Sequence, residues 1–467
     1  MKILLANLPW EQANQHGIRA GSRWPHMRTI QEGAYLPFPF FLAYTARLLM
    51  SHEFDVKMID ALCEQMDENT FWQAVADYEP ELLIVETATP SLLHDSALVK
   101  KHRGAWKVVF CGPEHCMQQE NFLTENGHID FIARGEYEYT VLELAYALKN
   151  KTPFVSIKGL LYRDTDGTVR RTPRRPLNDI NTLPWPLRDD LPLMRYSDSP
   201  GALPQPTLQM LTSRGCPFGC TYCLWPQVMY ESRSYRVRHV ADVIDEMEVM
   251  VYRHKFKSVY FDDDTFGADK TWVKKFCEAL RLRRAEGRLM VPWAMMTRPD
   301  LVDENILDEL TEAGLYAVKY GIESGSDEII ARCCKRLDLA YAEAMIKKTH
   351  ERGIKTHLTF MLGLPGETMK TIGETMAFIL RVKPFSVQFS FATPFPGTHL
   401  FDELSARGHI LSSDWSRFDG NTRCVVRTDA LSARQIEWTR KFVYGAWRLY
   451  AAGRRIKHRL AGAGKRS

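Results

Sequence analysis

The chain has 467 residues, of which 45% are hydrophobic and 25% are charged, a globular composition that excludes a wholly disordered, collagen-like or coiled-coil protein. The longest apolar stretch, residues 36–50, contains Pro37, Pro39 and Arg47 and is shorter than the roughly 18 apolar residues of a membrane-spanning helix. The net charge of +4 is uneven: residues 434–467 carry +9 and the remainder −5, so the main body has no pattern typical of nucleic-acid binding.

The first 150 residues alternate between short apolar runs and helical patterns. The predicted strands are residues 2–7, 55–60, 81–87, 107–112 and 129–134, and the predicted helices are residues 40–50, 91–104 and 140–150. This alternation predicts an α/β domain over residues 1–150, a Rossmann-like doubly wound parallel sheet. No GxGxxG follows the first strand, so a nicotinamide or flavin dinucleotide is not indicated. The N-terminus is predicted to be a strand and not a signal peptide, which favours a cytoplasmic location.

Ligands of such sheets bind beyond the carboxyl ends of the strands. The loops there supply three hydroxyls and two glycines as candidate contacts for a bulky ligand. They are Thr87, Thr89, Ser91, Gly112 and Gly135. The alternative is that the two glycines only form turns between strands and helices.

Residues 151–205 are rich in proline and are predicted to link two domains. Six further strand candidates then alternate with helices such as residues 240–254, 272–282 and 371–381. The strands are residues 208–213, 258–263, 291–296, 315–322, 355–362 and 386–393. Residues 206–400 are therefore predicted to form a partial (β/α)6 barrel, with its chemistry at the carboxyl ends of the strands.

The loop after the first barrel strand carries three cysteines in the spacing CxxxCxxC. They are Cys216, Cys220 and Cys223, whereas the other seven cysteines show no metal-binding spacing and are expected to be packed thiols. A structural zinc site needs four ligands, and no fourth cysteine or histidine lies nearby. A [4Fe–4S] cluster bound by three thiolates keeps one iron open, which suits redox chemistry on a bound substrate.

Several motifs together resemble the radical S-adenosylmethionine (SAM) superfamily. They are CTYCLWPQ (220–227), YFDDDTF (260–266), YGIESG (320–325), MLGLPGET (361–368) and PFPGT (394–398). With the preceding Rossmann-like domain, the chain resembles the cobalamin-binding branch, and most closely its hopanoid-associated members. That branch contains C-methyltransferases and anaerobic Mg-protoporphyrin monomethyl ester cyclases.

The resemblance implies a role for each motif. The three motif cysteines would ligate the cluster, and SAM would bind the open iron and be cleaved to methionine and a 5′-deoxyadenosyl radical. The residues implied to bind SAM are Tyr222, Asp263, Asp264, Glu323, Ser324, Gly363 and Gly366. The alternatives are that the acidic and serine positions cap helices and that the glycines form plain loops.

Cobalamin is implied by the branch, although the chain lacks the DxHxxG motif whose histidine ligates cobalt in other cobalamin domains. The predicted reaction is cobalamin-dependent methylation of an unactivated carbon in a secondary metabolite or lipid-type substrate. The alternatives are a ring contraction, cyclisation or oxidation without methyl transfer, or a non-enzymatic metal-binding protein with a closed zinc site.

The C-terminal segment, within residues 401–467, interleaves aromatic and basic residues over residues 432–460 and is predicted to be a basic amphipathic helix. It either contacts a membrane surface, which would suit a lipid-linked substrate, or packs on the barrel with a solvated basic face. The other expected partners are a small-molecule substrate and an electron donor such as flavodoxin or ferredoxin, but not a nucleic acid.

Overall fold

Two large sheets with helices packed on their faces, one mainly parallel and one wholly parallel, form the framework of the chain in a computed structural model that describes residues 1–12, 15–18, 25–28 and 35–463. Each sheet is formed from a separate stretch of sequence. The first belongs to residues 2–171 and the second to residues 207–391. The α/β fold class predicted from the sequence is confirmed.

The first stretch begins and ends with strands. Its elements are β1 (Lys2–Asn7), β2 (Glu11–Gln12), β3 (Gln15–Ile18), β4 (His26–Arg28), α1 (Phe40–Ser51), β5 (Asp55–Asp60), α2 (Ala61–Glu64), α3 (Glu68–Tyr78), β6 (Leu82–Glu86), α4 (Leu92–Lys101), β7 (Lys107–Cys111), α5 (Glu120–Glu125), β8 (Phe131–Ala133), α6 (Glu138–Asn150), β9 (Leu160–Arg163) and β10 (Val169–Arg171). The large sheet has the order β10–β9–β8–β7–β6–β1–β5, and β2, β3 and β4 form a small separate sheet. Strands β1, β5, β6, β7 and β8 run parallel to one another. At one edge of the sheet, β9 pairs antiparallel with β8 and β10 pairs antiparallel with β9.

Side chains of β1 alternate between two hydrophobic cores. Ile3 and Leu5 pack into the core that contains α1 and α6. Leu4 and Ala6 pack into the opposite core, which contains α3, α4 and α5. Because a strand directs successive side chains to opposite faces, a continuous apolar run is what a sheet covered on both sides requires.

The second stretch alternates strands and helices. Its elements, with those that follow it, are β11 (Thr207–Met210), β12 (Ser213–Arg214), β13 (Arg236–Val237), α7 (Val240–His254), β14 (Ser258–Phe261), α8 (Lys270–Ala285), β15 (Trp293–Thr297), α9 (Glu304–Glu312), β16 (Leu315–Glu323), α10 (Asp327–Arg332), α11 (Leu339–Glu351), β17 (Lys355–Leu362), α12 (Met369–Val382), β18 (Ser386–Phe391), α13 (His399–Ala406) and α14 (Ala433–Ala463). The sheet has the order β11–β14–β15–β16–β17–β18 and is parallel throughout. It is the predicted partial (β/α)6 barrel, with β11 and β18 at its two edges.

Two strands lie where the sequence predicts a linker. β9 pairs antiparallel with β8, and β10 pairs with β9 at the sheet edge. The edge strand β10 is short, polar and largely exposed, so it shows no apolar pattern to reveal it. The predicted domain limits (1–150, 151–205, 206–400 and 401–467) stay a prediction, and the first sheet extends to residue 171.

The C-terminal helix α14 is present as predicted and packs against β18. Along the described ranges of the chain, no helix combines the length and the apolar character needed to cross a lipid bilayer.

Candidate functional site

The three motif cysteines lie on one loop at the carboxyl edge of the second sheet. The loop follows β11, and Cys216, Cys220 and Cys223 are each half-buried. All ten cysteines of the chain are free thiols. Among the residues that the structure describes, no three His, Cys, Asp or Glu side chains form a site for a single metal ion. A cluster has a different requirement, because its thiolates bind different irons and need not meet at one point.

A glutamine just after the motif holds this loop through hydrogen bonds. Gln227 Nε2 donates to the backbone oxygens of Cys220 (3.3 Å), Thr221 (3.1 Å) and Cys223 (2.8 Å). Its Oε1 accepts from the backbone N–H of His399, 2.9 Å away, at the start of α13. Gln227 therefore ties the cysteine loop to the segment that follows β18, a role that was not predicted.

Asp263 and Asp264, predicted to bind SAM, hydrogen-bond the stem of the cysteine loop. Asp263 is fully buried and accepts from the backbone N–H groups of Thr212 (2.7 Å) and Ser213 (3.2 Å). Burial raises the pKa of Asp263 to about 6, and these hydrogen bonds oppose that rise. Asp264 Oδ2 accepts from the Gly215 N–H at 2.8 Å. Both aspartates thus hold the loop stem, and their predicted contacts with SAM stay predictions.

Two buried cations that sequence reasoning missed lie beside the loop. The Arg298 guanidinium stacks on the ring of Phe218, 3.6 Å from its centroid. Lys335 Nζ lies 3.4 Å from Tyr222 Oη, and Arg298 donates to the Lys335 backbone oxygen at 2.9 Å. Burial opposes the charge of Lys335, but Glu323 outweighs it and holds the pKa of the ammonium above its usual value. Phe218 and Tyr222 alternate with the motif cysteines, so both cations adjoin the place where thiolates are needed.

Glu323, at the end of β16, has an unusual backbone conformation. Its φ is +71°, in the left-handed region that favours glycine. Its carboxylate is buried and accepts from Lys335 Nζ at 3.1 Å. Such strain is found where the surrounding structure enforces it, often at functional sites. Ser324 is fully buried and its hydroxyl lies 3.2 Å from Thr375 Oγ1 in α12, and its predicted contact with SAM stays a prediction.

Replacing Lys335 with methionine should strongly destabilise the fold. The Lys335 and Glu323 side chains are only 4% and 10% exposed, so the variant leaves a carboxylate buried without its counter-charge. We expect the free energy of unfolding to fall by about 3–5 kcal/mol. The double variant with Glu323→Gln removes both charges and should recover most of this loss. Urea denaturation followed by circular dichroism measures both variants, and a single variant as stable as the parent would contradict the prediction.

The predicted glycines Gly363 and Gly366 lie in the loop after β17. The Gly363 N–H donates to Glu367 Oε2 at 2.6 Å, which closes the loop on itself. Gly366 lies against the side chain of Arg332. Glu367 is 1% exposed, and burial raises its pKa to about 8. The predicted contacts of the two glycines with SAM stay a prediction.

Glu367 should make the stability depend on pH. Its pKa is about 8 in the folded chain against an ordinary value of 4.5, so its contribution to stability is complete below about pH 4.5 and is lost as the pH rises through about 8. The slope reaches about 1.4 kcal/mol per pH unit in the free energy of unfolding. Glu367→Gln should remove this component and gain stability relative to the parent as the pH rises. Urea titrations across this range measure it, and identical pH slopes in parent and variant would refute it.

Thr87, Thr89 and Ser91, the hydroxyls predicted to contact cobalamin, are buried in the loop after β6. Thr87 Oγ1 donates to Asp95 Oδ2 at 2.6 Å and lies 3.3 Å from Ser91 Oγ. Ser91 Oγ also donates to the Ala88 backbone oxygen at 3.2 Å. The hydroxyls of Thr87 and Ser91 thus hydrogen-bond to α4 and within the loop, and a direct contact of the three residues with cobalamin stays a prediction.

Both predicted glycines of this edge have positive φ angles and close neighbours. Gly112 has φ +121°, and a Cβ there would lie 2.3 Å from the backbone oxygen of Thr87. Gly135 has φ +68°, and a Cβ there would lie 3.2 Å from the backbone oxygen of Met229. The approach at Gly112 leaves no room for a Cβ, and the positive φ of Gly135 favours glycine, so both observations favour the alternative that these residues serve the turns.

A buried ionic cluster joins the first sheet to the cysteine loop. Arg214, two residues before Cys216, pairs with Glu138 Oε1 at 2.6 Å and with Glu136 Oε1 at 3.2 Å. Its guanidinium also lies 4.3 Å from the ring centroid of Phe41 in α1. Burial opposes the ionisation of Glu136, but Arg214 outweighs it and holds the pKa of this carboxyl below its usual value. The two glutamates follow β8, so this contact links the ends of strands from both sheets.

The carboxyl edges of the two sheets therefore face each other. His115, after β7, packs its ring against Gly397, after β18. Beside this contact is a cavity of about 470 Å³, whose lining includes Cys220, Glu231 and Asp402. A ligand in this space would adjoin the cysteine loop.

A second cavity, of about 290 Å³, lies inside the barrel. Lys319, His357 and Gln388 line it from three adjacent strands, β16, β17 and β18. Lys319 Nζ donates to Asp198 Oδ2 at 2.9 Å. Burial lowers the pKa of His357 to about 3, so its ring is neutral, and Nδ1 lies 2.8 Å from Ser386 Oγ. This interior offers a polar ligand both signs of charge and neutral hydrogen-bonding groups.

The donor set of the loop fits a [4Fe–4S] cluster. Three half-buried thiols supply three ligands, and the loop contains no fourth cysteine, so one iron would remain for another ligand. A closed zinc site would need a fourth donor. The cations Arg298 and Lys335 suit the negative charge that three thiolates bring.

Comparisons with known proteins agree with this site. Residues 210–379 match the sequence profile of the radical SAM superfamily. An uncharacterized methyltransferase of Pyrococcus horikoshii is 30% identical over 424 residues, which cover 90% of this chain and 86% of that protein. The anaerobic magnesium-protoporphyrin IX monomethyl ester cyclase of Rubrivivax gelatinosus is 26% identical over 420 residues, covering 85% of this chain and 71% of the cyclase.

Among solved structures, the radical SAM methyltransferase TsrM of Kitasatospora setae, with cobalamin and a [4Fe–4S] cluster bound, superposes with a TM-score of 0.69. It is 19% identical, and the match covers 87% of this chain and 78% of TsrM. At this identity the match shows a shared fold. The predicted likeness to hopanoid-associated proteins stays a prediction.

Members of the radical SAM superfamily carry a [4Fe–4S] cluster and use SAM. The superfamily profile covers most of the barrel, and the Pyrococcus relative extends along 90% of the chain. On these two findings, the chain belongs to the radical SAM superfamily and is an enzyme.

Proposed function

We propose that this radical SAM enzyme methylates an unactivated carbon with cobalamin as its second cofactor. The observation that carries the proposal is the facing arrangement of the two carboxyl edges. Loops of the first sheet contact the loop after β18 at His115 with Gly397, and the segment just after the cysteine loop at Gly135 with Met229. A cofactor bound on the first sheet would thus lie over the substrate space of the barrel.

We propose that Cys216, Cys220 and Cys223 ligate the cluster. When bound, the cluster supplies the electron that cleaves SAM to methionine and a 5′-deoxyadenosyl radical. Gln227 fixes the loop through three backbone oxygens, and Lys335 adds a buried positive charge beside it. Tyr222, Asp263, Asp264, Glu323, Ser324, Gly363 and Gly366 remain the candidate contacts to SAM.

Cobalamin would supply the methyl group. Support comes from the fold shared with TsrM, which was solved with cobalamin bound, and from the methyltransferase name of the Pyrococcus relative. The first domain would bind it with the loops around Thr87, Gly112 and Gly135. The hydrogen bonds of Thr87 and the close packing of Gly112 would keep these loops rigid at the edge of the binding site.

The test uses SAM with an isotope-labelled methyl group and a metabolite extract from a strain that lacks the gene. The anaerobic, reduced enzyme should produce a compound that carries the labelled methyl, and only when cobalamin is present. A new compound without the label would contradict methyl transfer.

A second candidate is radical chemistry without methyl transfer, such as cyclisation, ring contraction or oxidation. It is favoured by the Rubrivivax relative, whose name is that of a cyclase. The same labelling experiment separates the two, because only methylation retains the label. A non-enzymatic protein with a closed zinc site does not accord with membership of this enzyme superfamily.

The barrel cavity is our candidate for the polar part of the substrate. Lys319 with Asp198 and the neutral His357 would orient a charged or hydrogen-bonding group there. The substrate itself would be a small molecule or the head of a lipid-linked one. The electron would come from a flavodoxin or ferredoxin, and the predicted cytoplasmic location belongs to this proposal as well.

A further inference from the structure

We propose that the outer face of α14 docks on an anionic lipid bilayer. The proposal goes beyond the reaction, because it concerns a surface that neither the cysteine loop nor the barrel cavity uses. It rests on the exposure, the charge and the anchoring of this one helix.

The outer face carries a stripe of large apolar side chains. Trp438, Phe442 and Leu449 are 65%, 71% and 78% exposed. Their spacing of four and seven residues places them along one side of a helix. A stripe of this kind leaves apolar area in water that contact with a lipid surface would remove.

Basic side chains accompany the stripe. Arg434, Lys441 and Arg448 are exposed. The one acidic residue of the helix, Glu437, accepts from the backbone N–H of Cys424 at 3.0 Å and so lies towards the body of the protein. The outer face is therefore apolar and positively charged, the combination by which interfacial helices bind anionic headgroups.

The opposite face fixes the helix in this orientation. Ile436, Val443 and Trp447 are buried against the barrel. Tyr444 Oη accepts from the backbone N–H of Phe389 in β18 at 2.8 Å. The outer stripe is thus a permanent surface of the folded chain, and its exposure does not depend on unfolding.

The chemistry of this face favours a membrane over an electron donor. An anionic bilayer binds a stripe of exposed apolar side chains flanked by cations, whereas an electron donor must approach the cysteine loop, which lies outside α14. The inner-face Arg440 donates to the backbone oxygen of Asn421, which lines the barrel cavity. Docking would therefore bring the barrel cavity near the lipid surface.

Flotation with vesicles tests the proposal on the full-length protein. The vesicles are phosphatidylcholine alone or phosphatidylcholine mixed with phosphatidylglycerol. One variant combines Trp438→Ser, Phe442→Ser and Leu449→Ser, and another combines Arg434→Gln, Lys441→Gln and Arg448→Gln. A matched control replaces the comparably exposed Leu93, Val155 and Leu282 with serine.

We expect binding to the anionic vesicles only, weakened by salt and by both α14 variants but unchanged in the control. Removal of three surface cations should weaken binding on the order of a hundredfold. No binding by the parent, or equal binding by all variants, would overturn the proposal. A third contrary result would be a parent protein that does not bind vesicles but dimerises with rising concentration, with the dimer lost in the serine variant. The face would then bind a second copy of the chain. Binding to DNA that ignores the apolar stripe, without binding to vesicles, would make the face a polyanion site instead.

Discussion

Replacement of Cys220 with alanine should abolish the formation of 5′-deoxyadenosine from SAM. The proposed cluster depends on three thiolates, and loss of one opens a second iron and destabilises the cluster. The side chain is half-buried in a surface loop, so the variant should still fold. Anaerobic incubation with dithionite and SAM, followed by mass spectrometry of the nucleoside, measures the effect. The signal should fall to that of a protein-free reaction.

Cys116→Ala is the matched control, because Cys116 is also a half-buried free thiol but lies after β7 and outside the motif. It should retain iron content and 5′-deoxyadenosine formation. Retained activity in Cys220→Ala would remove Cys220 from the cluster. Equal losses in both variants would mean that thiol removal acts through the fold and not through ligation.

Replacement of Arg214 with methionine should strongly lower the stability of the fold. Arg214 is 2% exposed and pairs with Glu136 and Glu138, which are 4% and 0% exposed. Breaking a buried ion pair by removing one partner costs about 3–5 kcal/mol, since a charge stays buried without compensation. Arg236 still pairs with Glu136 at 2.7 Å, so the carboxylate left without a partner charge is mainly that of Glu138. Urea denaturation measures the change in the free energy of unfolding.

The variant that combines Arg214→Met with Glu138→Gln separates charge from packing. If the buried charge is responsible, the double variant should be more stable than the single one. If it is not, the stacking of the guanidinium on Phe41 carries the effect. If the Arg214→Met variant unfolds at the same urea concentration as the parent, the ion pairs of Arg214 do not contribute the predicted free energy of unfolding. Because Arg214 precedes Cys216 by two residues, its loss should also lower the iron content after reconstitution.

The strands were predictable because their apolar runs are long enough to mark them. β1, β5 and β17 have the predicted limits of residues 2–7, 55–60 and 355–362. The small polar strand β10 could not be predicted, because an exposed edge strand needs no apolar pattern.

The site was predictable only where a motif carries the chemistry. The cysteine spacing predicted the loop and its position after β11. Arg298 and Lys335 are single cations in unremarkable sequence, and only the fold brings them to Phe218 and Tyr222. The acidic run after β14 was recognised, but the sequence could not show that Asp263 hydrogen-bonds the loop stem. Such contacts depend on tertiary packing, which local patterns do not report.

The central claim is that the cysteine loop binds a [4Fe–4S] cluster with one iron open to SAM. Electron paramagnetic resonance of the anaerobically reconstituted, dithionite-reduced protein tests it directly, with spectra recorded before and after SAM is added. We predict about four irons per chain and a reduced-cluster signal that changes when SAM binds. A protein that takes up zinc without iron, or a cluster signal that SAM leaves unaltered, would contradict the claim.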